Sequence, residues 1–296
     1  MSIPNKENES NEQRKDAFRK RKRRYPNMKY ETIVLSEQTP NVTLTCYIAD
    51  NTNHPRNAML VIPGGGYGCI CEDREGEPIA MSFFARGYNC FVLRYRIAPI
   101  ADPYDPLVDA SRAMAYIRQN ADAFHIDKDR VFAVGFSAGG HLAATLGTMY
   151  ADKEISDATG IDDPTLIRPT GVALCYPVIS PEAGHVGTFA NLFGKRINEP
   201  ALNQRFSAEK RVTPASSPAF IIHTFTDQVV PVRNSLVMAQ AMADNGVLCE
   251  LHVYPKGPHG MALANRDTDI GGKPELVDAP YARWVDDACT FFARIR

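Results

Sequence analysis

An α/β fold, with a mostly parallel sheet of eight strands and helices on both faces, is predicted by two features of the sequence. From about residue 31 onward, short apolar runs alternate with longer amphipathic ones. A period of two giving way to a period of 3.6 reads as strand, then helix. Repeating that unit lays parallel strands side by side and places their crossover helices above and below them. The second feature is size: 296 residues is long for one domain, yet open α/β sheets reach it as a single unit.

In chain order, the strands are expected at 32–36, 42–48, 58–62, 89–95, 131–134, 171–175, 219–225 and 249–254. The first two are joined by 37–41, which is long enough for an antiparallel hairpin and too short for a parallel crossover. Helices are expected at 77–86, 106–120, 138–150, 232–245 and 281–294. In the second, Leu107, Ala110, Met114, Ile117 and Ala121 fall on one helical stripe, as Trp284, Ala288, Phe291 and Phe292 do in the last. Two stretches break the rhythm. Residues 151–169 read as a surface excursion, and 177–217, with Pro177, Pro181, Pro200 and Pro214, as an irregular insertion. The insertion follows a strand end, where such sheets bind ligands, so it reads either as a lid or substrate-recognition segment or as a meandering connection.

Residues 1–29 are expected to be a flexible polar segment ahead of one domain over 30–296. The basic run Arg19 to Arg24 reads as a solvated terminus rather than a nucleic-acid arm, and no apolar stretch of secretory or membrane-spanning type follows it. Lys+Arg 33 against Asp+Glu 34 leaves a net charge of -1, so no global field draws in nucleic acid or an anionic membrane. Seven cysteines, most of them in apolar stretches, suggest buried thiols in a reducing, cytoplasmic setting. Cys69 and Cys71 stand too close for a C-x-x-C pair, and no metal site is expected. Homo-oligomer formation is left open.

The chemistry is carried by Gly135-Phe136-Ser137-Ala138-Gly139, a G-x-S-x-G placed between a strand and a helix. That context matters, because a serine on a sharp strand-to-helix turn is lifted to the sheet's rim and needs small neighbours. Ser137 is therefore the expected nucleophile. An oxyanion forming there needs two backbone N–H donors, one from the residue after the serine and one from the loop after the third strand. Ala138 and the Pro63-Gly64-Gly65-Gly66-Tyr67 loop fit, with Gly64 and Gly65 as the expected loop donors and Gly66 next. In chain order the acid and base follow the serine. Asp227, in Thr226-Asp227-Gln228-Val229-Val230-Pro231, and His259, in Tyr254-Pro255-Lys256-Gly257-Pro258-His259-Gly260, each stand just past a strand. His259 is expected to move the proton and Asp227 to orient its ring. Among the other histidines, His141 is expected to pack beneath the serine turn, and His223 lies within a strand.

These motifs, together with Asp73-Arg74-Glu75-Gly76-Glu77-Pro78, Leu93-Arg94-Tyr95-Arg96 and the extension of the serine motif to Gly140-His141, resemble the esterase and lipase branch of the α/β hydrolases. Within it they are nearest the acetyl-esterase and acetylxylan-esterase-like (BD-FAE-like) members. The resemblance covers nearly everything from residue 30 onward. It implies the α/β-hydrolase fold and a serine carboxylesterase acting on short acyl esters, acetyl groups on xylo-oligosaccharides among them, through an acyl-enzyme on Ser137. It implies no cofactor. Pro63 stands where the hormone-sensitive-lipase-like branch has histidine, which argues against long-chain lipid substrates. Glu75 and Glu77 read either as sugar contacts or as acidic residues favoured at a helix N-terminus. A peptidase or an arylformamidase on the same frame is the alternative. A non-catalytic ligand-binding member would be expected to lose Ser137 or His259, and this chain keeps both.

Overall fold

Eight strands form in the computed structural model, which describes residues 28–49 and 52–295. They are β1 (Met28–Val34), β2 (Thr43–Ala49), β3 (Arg56–Ile62), β4 (Tyr88–Arg94), β5 (Ile126–Phe136), β6 (Val172–Cys175), β7 (Ala219–Thr224) and β8 (Cys249–Tyr254). All eight join one sheet in the order β1-β2-β4-β3-β5-β6-β7-β8. The short link after β1 makes the expected antiparallel pair, with Thr32 opposite Thr45. β2 also runs antiparallel to β4, and every later pairing is parallel.

The helices are α1 (Glu72–Glu75), α2 (Glu77–Phe84), α3 (Asp105–Gln119), α4 (Ala138–Met149), α5 (Lys153–Thr159), α6 (Val186–Phe193), α7 (Pro200–Arg205), α8 (Arg233–Asp244) and α9 (Trp284–Arg294). Alternate residues of a strand point to opposite faces. Leu60 of β3 and Ala133 of β5 accordingly join one core with Leu107 and Met114 of α3, Leu142 of α4 and Met238 of α8. Their neighbours Met59, Val61 and Val134 join the other core with Ile79 and Phe83 of α2 and Trp284 and Phe292 of α9. The central strands are apolar on both faces because helices cover both.

Several boundaries differ from expectation. β1 starts at Met28, so residues 28–29 belong to the sheet edge and not to the flexible segment; its largely exposed side chains carry little apolar signal. β5 starts at Ile126, paired with Arg56 ahead of a register shift, and the exposed stretch Asp127-Lys128-Asp129 conceals that start. Segments expected to be irregular contain the short helices α5, α6 and α7. The basic run Arg19 to Arg24 lies outside the described residues. Among those described, no helix is long and apolar enough to cross a membrane. Cys46, Cys90 and Cys175 are buried as expected, whereas Cys69 is exposed.

Candidate active site

The parallel strands bring the predicted residues to one rim. Gly64 to Gly66 follow β3, Ser137 follows β5, Tyr176 follows β6, Asp227 follows β7 and His259 follows β8. This is the carboxyl edge, where open α/β sheets place their sites.

Ser137 joins β5 to α4 with φ 51 and ψ -117, a conformation costly for a residue that has a Cβ. The surrounding backbone holds it there. Its N–H donates to the Cys175 carbonyl at 3.0 Å, and its own carbonyl accepts from Val178 N–H at 3.0 Å and His141 N–H at 3.1 Å. The flanking glycines are required by close approach: a Cβ on Gly135 would meet the Gly139 carbonyl oxygen at 2.1 Å, and one on Gly139 would meet the Ile62 oxygen at 2.2 Å.

A hydrogen-bonded chain runs from this serine. Ser137 Oγ is 2.9 Å from His259 Nε2, and His259 Nδ1 is 2.7 Å from Asp227 Oδ2. The Asp227 side chain is buried. Its Oδ1 accepts the N–H groups of Val229 and Val230, each at 2.9 Å, and its Oδ2 lies 3.3 Å from His223 Nε2. Burial alone would raise the Asp227 pKa. Hydrogen bonds from His223, His259 and Val230 outweigh it and hold the carboxyl well below its usual range. An ionised Asp227 only accepts, so His259 Nδ1 carries the proton and Nε2 is bare toward the serine hydroxyl. That tautomer can take the serine proton.

His223 was not picked out from the sequence, yet it is wholly buried and holds the far side of Asp227. Its Nδ1 meets Ser235 Oγ at 2.7 Å and its Nε2 meets the Val230 carbonyl at 2.9 Å. Its spacing of four residues before Asp227 was the available signal.

The oxyanion loop departs from expectation at one residue. Gly64 N–H donates to Glu75 Oε2 at 2.8 Å, so it is turned to that carboxylate rather than free to meet an oxyanion. The N–H groups of Gly65 and Ala138, with that of Gly66 beside them, have no protein partner among the described residues. Ala138 opens α4, whose N-terminus favours negative charge. Glu75 lies in the first turn of α1, as the helix-start reading expected, but its side chain is buried against the loop. Glu77 is exposed in the first turn of α2, as the helix-start reading expected.

Tyr67 ends the loop and ties it to the rest of the site. Its hydroxyl meets His141 Nδ1 at 2.8 Å, and His141 Nε2 meets the Phe206 carbonyl at 2.8 Å. A carbonyl only accepts, so Nε2 carries the proton and Nδ1 accepts from the tyrosine. The insertion 177–217 therefore packs on the loop, and Asn191 of α6 adds a hydrogen bond to the Gly66 carbonyl at 2.8 Å. At the start of α6, burial first and then nearby His259 lower the pKa of His185.

Burial pushes the pKa of His141 down from 6.5 to about 4. The unfolded state thus binds the additional proton between these values, and stability falls as pH drops through that window. From pH 7.5 to pH 5 this single group is expected to remove about 2 kcal/mol. Urea unfolding of wild type and His141→Gln at both pH values checks it. The variant is expected to lose less stability over the same step by that amount, and equal losses would rule out His141 as the cause.

A family model described as BD-FAE matches residues 44–242, more than half of the chain. An endo-1,4-beta-xylanase B of Butyrivibrio fibrisolvens is 39% identical over 224 residues, covering 73% of this chain and 34% of that protein. An acetylxylan esterase of Xylanibacter ruminicola is 31% identical over 258 residues, covering 83% of this chain and 50% of that protein. The chain thus spans about a third and a half of the length of these relatives. The solved structure of an acetyl ester-xyloside bifunctional hydrolase from Caldicellulosiruptor lactoaceticus superposes with a TM-score of 0.72 at 34% identity, covering 88% of this chain and 96% of that one.

Proposed function

The chain belongs to the BD-FAE family, and on that premise we propose that it is a serine carboxylesterase that removes short acyl groups, acetyl first, from xylo-oligosaccharides. The observation that carries this reading is the chain Ser137–His259–Asp227, with contacts of 2.9 and 2.7 Å, set beside the unpartnered N–H groups of Gly65 and Ala138. Ser137 Oγ attacks the ester carbonyl carbon as its proton passes to His259 Nε2. The carbonyl oxygen becomes an oxyanion held by the two N–H groups. Collapse of the adduct breaks the bond to the alcohol oxygen, which leaves with the proton from His259. A water then gives its proton to His259 and attacks the acyl-enzyme, and the acid departs as Ser137 regains its proton. Asp227 holds the imidazole in the required tautomer throughout and stabilises its charged form.

The substrate class is supported by the acetylxylan esterase relative and by the likeness to an acetyl ester-xyloside hydrolase. The test is a p-nitrophenyl ester series from acetate to palmitate, run beside acetylated xylo-oligosaccharide with released acetate quantified. Acetate is expected to give the highest kcat/KM, with a drop of at least about tenfold by octanoate, and the oligosaccharide is expected to release acetate. A preference for long chains, or no acetate from the oligosaccharide, would sink the carbohydrate reading.

A further inference from the structure

Glu75 is a buried carboxylate that the reaction steps above do not use. Its Oε2 accepts Gly64 N–H at 2.8 Å and its Oε1 accepts the Tyr176 hydroxyl at 2.8 Å. Each partner adjoins one of the reacting side chains. Gly64 lies between Glu75 and the serine: a Cβ built on it would stand 2.8 Å from Glu75 Oε2 and 3.0 Å from Ser137 Cβ. The Tyr176 ring meets the His259 ring edge to face, with centroids 5.0 Å apart at 71°. The same tyrosine hydroxyl accepts Ala262 N–H at 3.1 Å, holding the loop that carries His259. That loop is pinned again where Trp284 Nε1–H donates to the Ala262 carbonyl at 2.9 Å.

We propose that Glu75 is a positioning residue: by bridging Gly64 N–H and Tyr176 OH, it sets the oxyanion loop and the His259 imidazole in register with each other. The proposal rests on the reading of Ser137 and His259 as nucleophile and base. Turning Gly64 N–H toward Glu75 fixes the peptide that leads into Gly65, the donor left for the oxyanion. A carboxylate suits the task because it accepts at both oxygens. Glutamine has the same length and fails it. If its amide nitrogen faced Gly64, two donors would oppose each other. If it faced Tyr176, the hydroxyl would have to accept from it as well as from Ala262, and the hydroxyl proton would lose its acceptor. Burial is the largest influence and leaves the Glu75 pKa raised above its ordinary value, although Arg74, Tyr176 and Gly64 each favour the ionised form. The Arg74 guanidinium stands beside it, with Nε 3.9 Å from Oε1.

The test measures kcat and KM for p-nitrophenyl acetate in wild type, Glu75→Gln, Tyr176→Phe, the double variant and Ser137→Ala. A fluorophosphonate label counts the competent serines in each. Each single variant is expected to lose about 10- to 100-fold in kcat per labelled site, with KM within about threefold, because misplacement acts on the transition state. The double variant is expected to be no worse than the poorer single one, since both cut the same bridge. A kcat per labelled site within twofold of wild type in Tyr176→Phe, or losses that multiply in the double variant, would overturn the proposal. Tyr176→Phe removes one hydroxyl and decides the matter even if Glu75→Gln does not fold. Should Ser137→Ala keep its activity, the reading of the site itself fails; an inactive Ser137→Ala beside a fully active Tyr176→Phe would sink the positioning role alone.

Discussion

Ser137→Ala is expected to lower kcat/KM for p-nitrophenyl acetate by at least about a thousandfold while leaving the fold intact. The substitution removes the attacking oxygen and nothing that the turn depends on. The strained φ of 51 is held by backbone hydrogen bonds to Cys175, Val178 and His141, which alanine retains. The Cβ, packed near Gly64, is retained as well. What is lost in the ground state is one hydrogen bond to His259, a change of about 1 kcal/mol in stability. Residual catalysis over water is expected, because the N–H groups of Gly65 and Ala138 still face a bound carbonyl. Steady-state rates, urea unfolding and fluorophosphonate labelling of both proteins check it. A variant with wild-type rates would remove Ser137 from the mechanism, whatever its geometry.

How much of this was legible in the sequence depends on the range of the interaction. All eight strands and the helices α2, α3, α4, α8 and α9 were legible because their signals are local: apolar periodicity, glycine and proline punctuation, and motif spacing. The order of Ser137, Asp227 and His259 was legible because a parallel sheet lines up successive strand ends, so residues far apart in the chain share a rim. Helices α6 and α7 were not, since they lie in the proline-punctuated stretch 177–217, where no clear apolar period marks them, and helices this short are stabilised by packing rather than by propensity. The buried position of Glu75 was not legible for a related reason. In the run Glu72-Asp73-Arg74-Glu75-Gly76-Glu77 three glutamates look alike, and only the approach of Gly64 and Tyr176 from other elements singles out the buried one. The same holds for Gly64 and Gly65. Three consecutive glycines announce a close backbone approach without saying which N–H points where, and the carboxylate facing Gly64 makes that choice.

Asp227→Asn is expected to lower kcat by about 10⁴-fold, with little change in KM. The size follows from the number of donors around this side chain. Both oxygens of Asp227 are engaged by donors, Val229 and Val230 N–H at Oδ1 and His259 Nδ1–H at Oδ2, and His223 Nε2 stands 3.3 Å from Oδ2. Asparagine offers one acceptor oxygen and one donor amide, so a choice is forced. With its oxygen toward Val229 and Val230, its amide donates to His259 Nδ1, which drives the ring proton to Nε2. A protonated Nε2 cannot receive the Ser137 proton, so the base is lost while the ring stays in place. With the amide turned the other way, two backbone donors face a third, at a cost of about 1–3 kcal/mol for buried groups left unpaired. The loss should also depend on pH. In the wild type the depressed pKa of Asp227 keeps the carboxylate charged far below neutrality, so loss of that charge does not limit activity on the acid side. In the variant, rising hydroxide can attack the bound ester without help from the imidazole, so part of the lost rate is expected to return above pH 9. Measuring kcat from pH 5 to 10 for both proteins separates the cases. A variant that retains a tenth or more of the wild-type rate at pH 7 would show that Asp227 does not set the tautomer of His259.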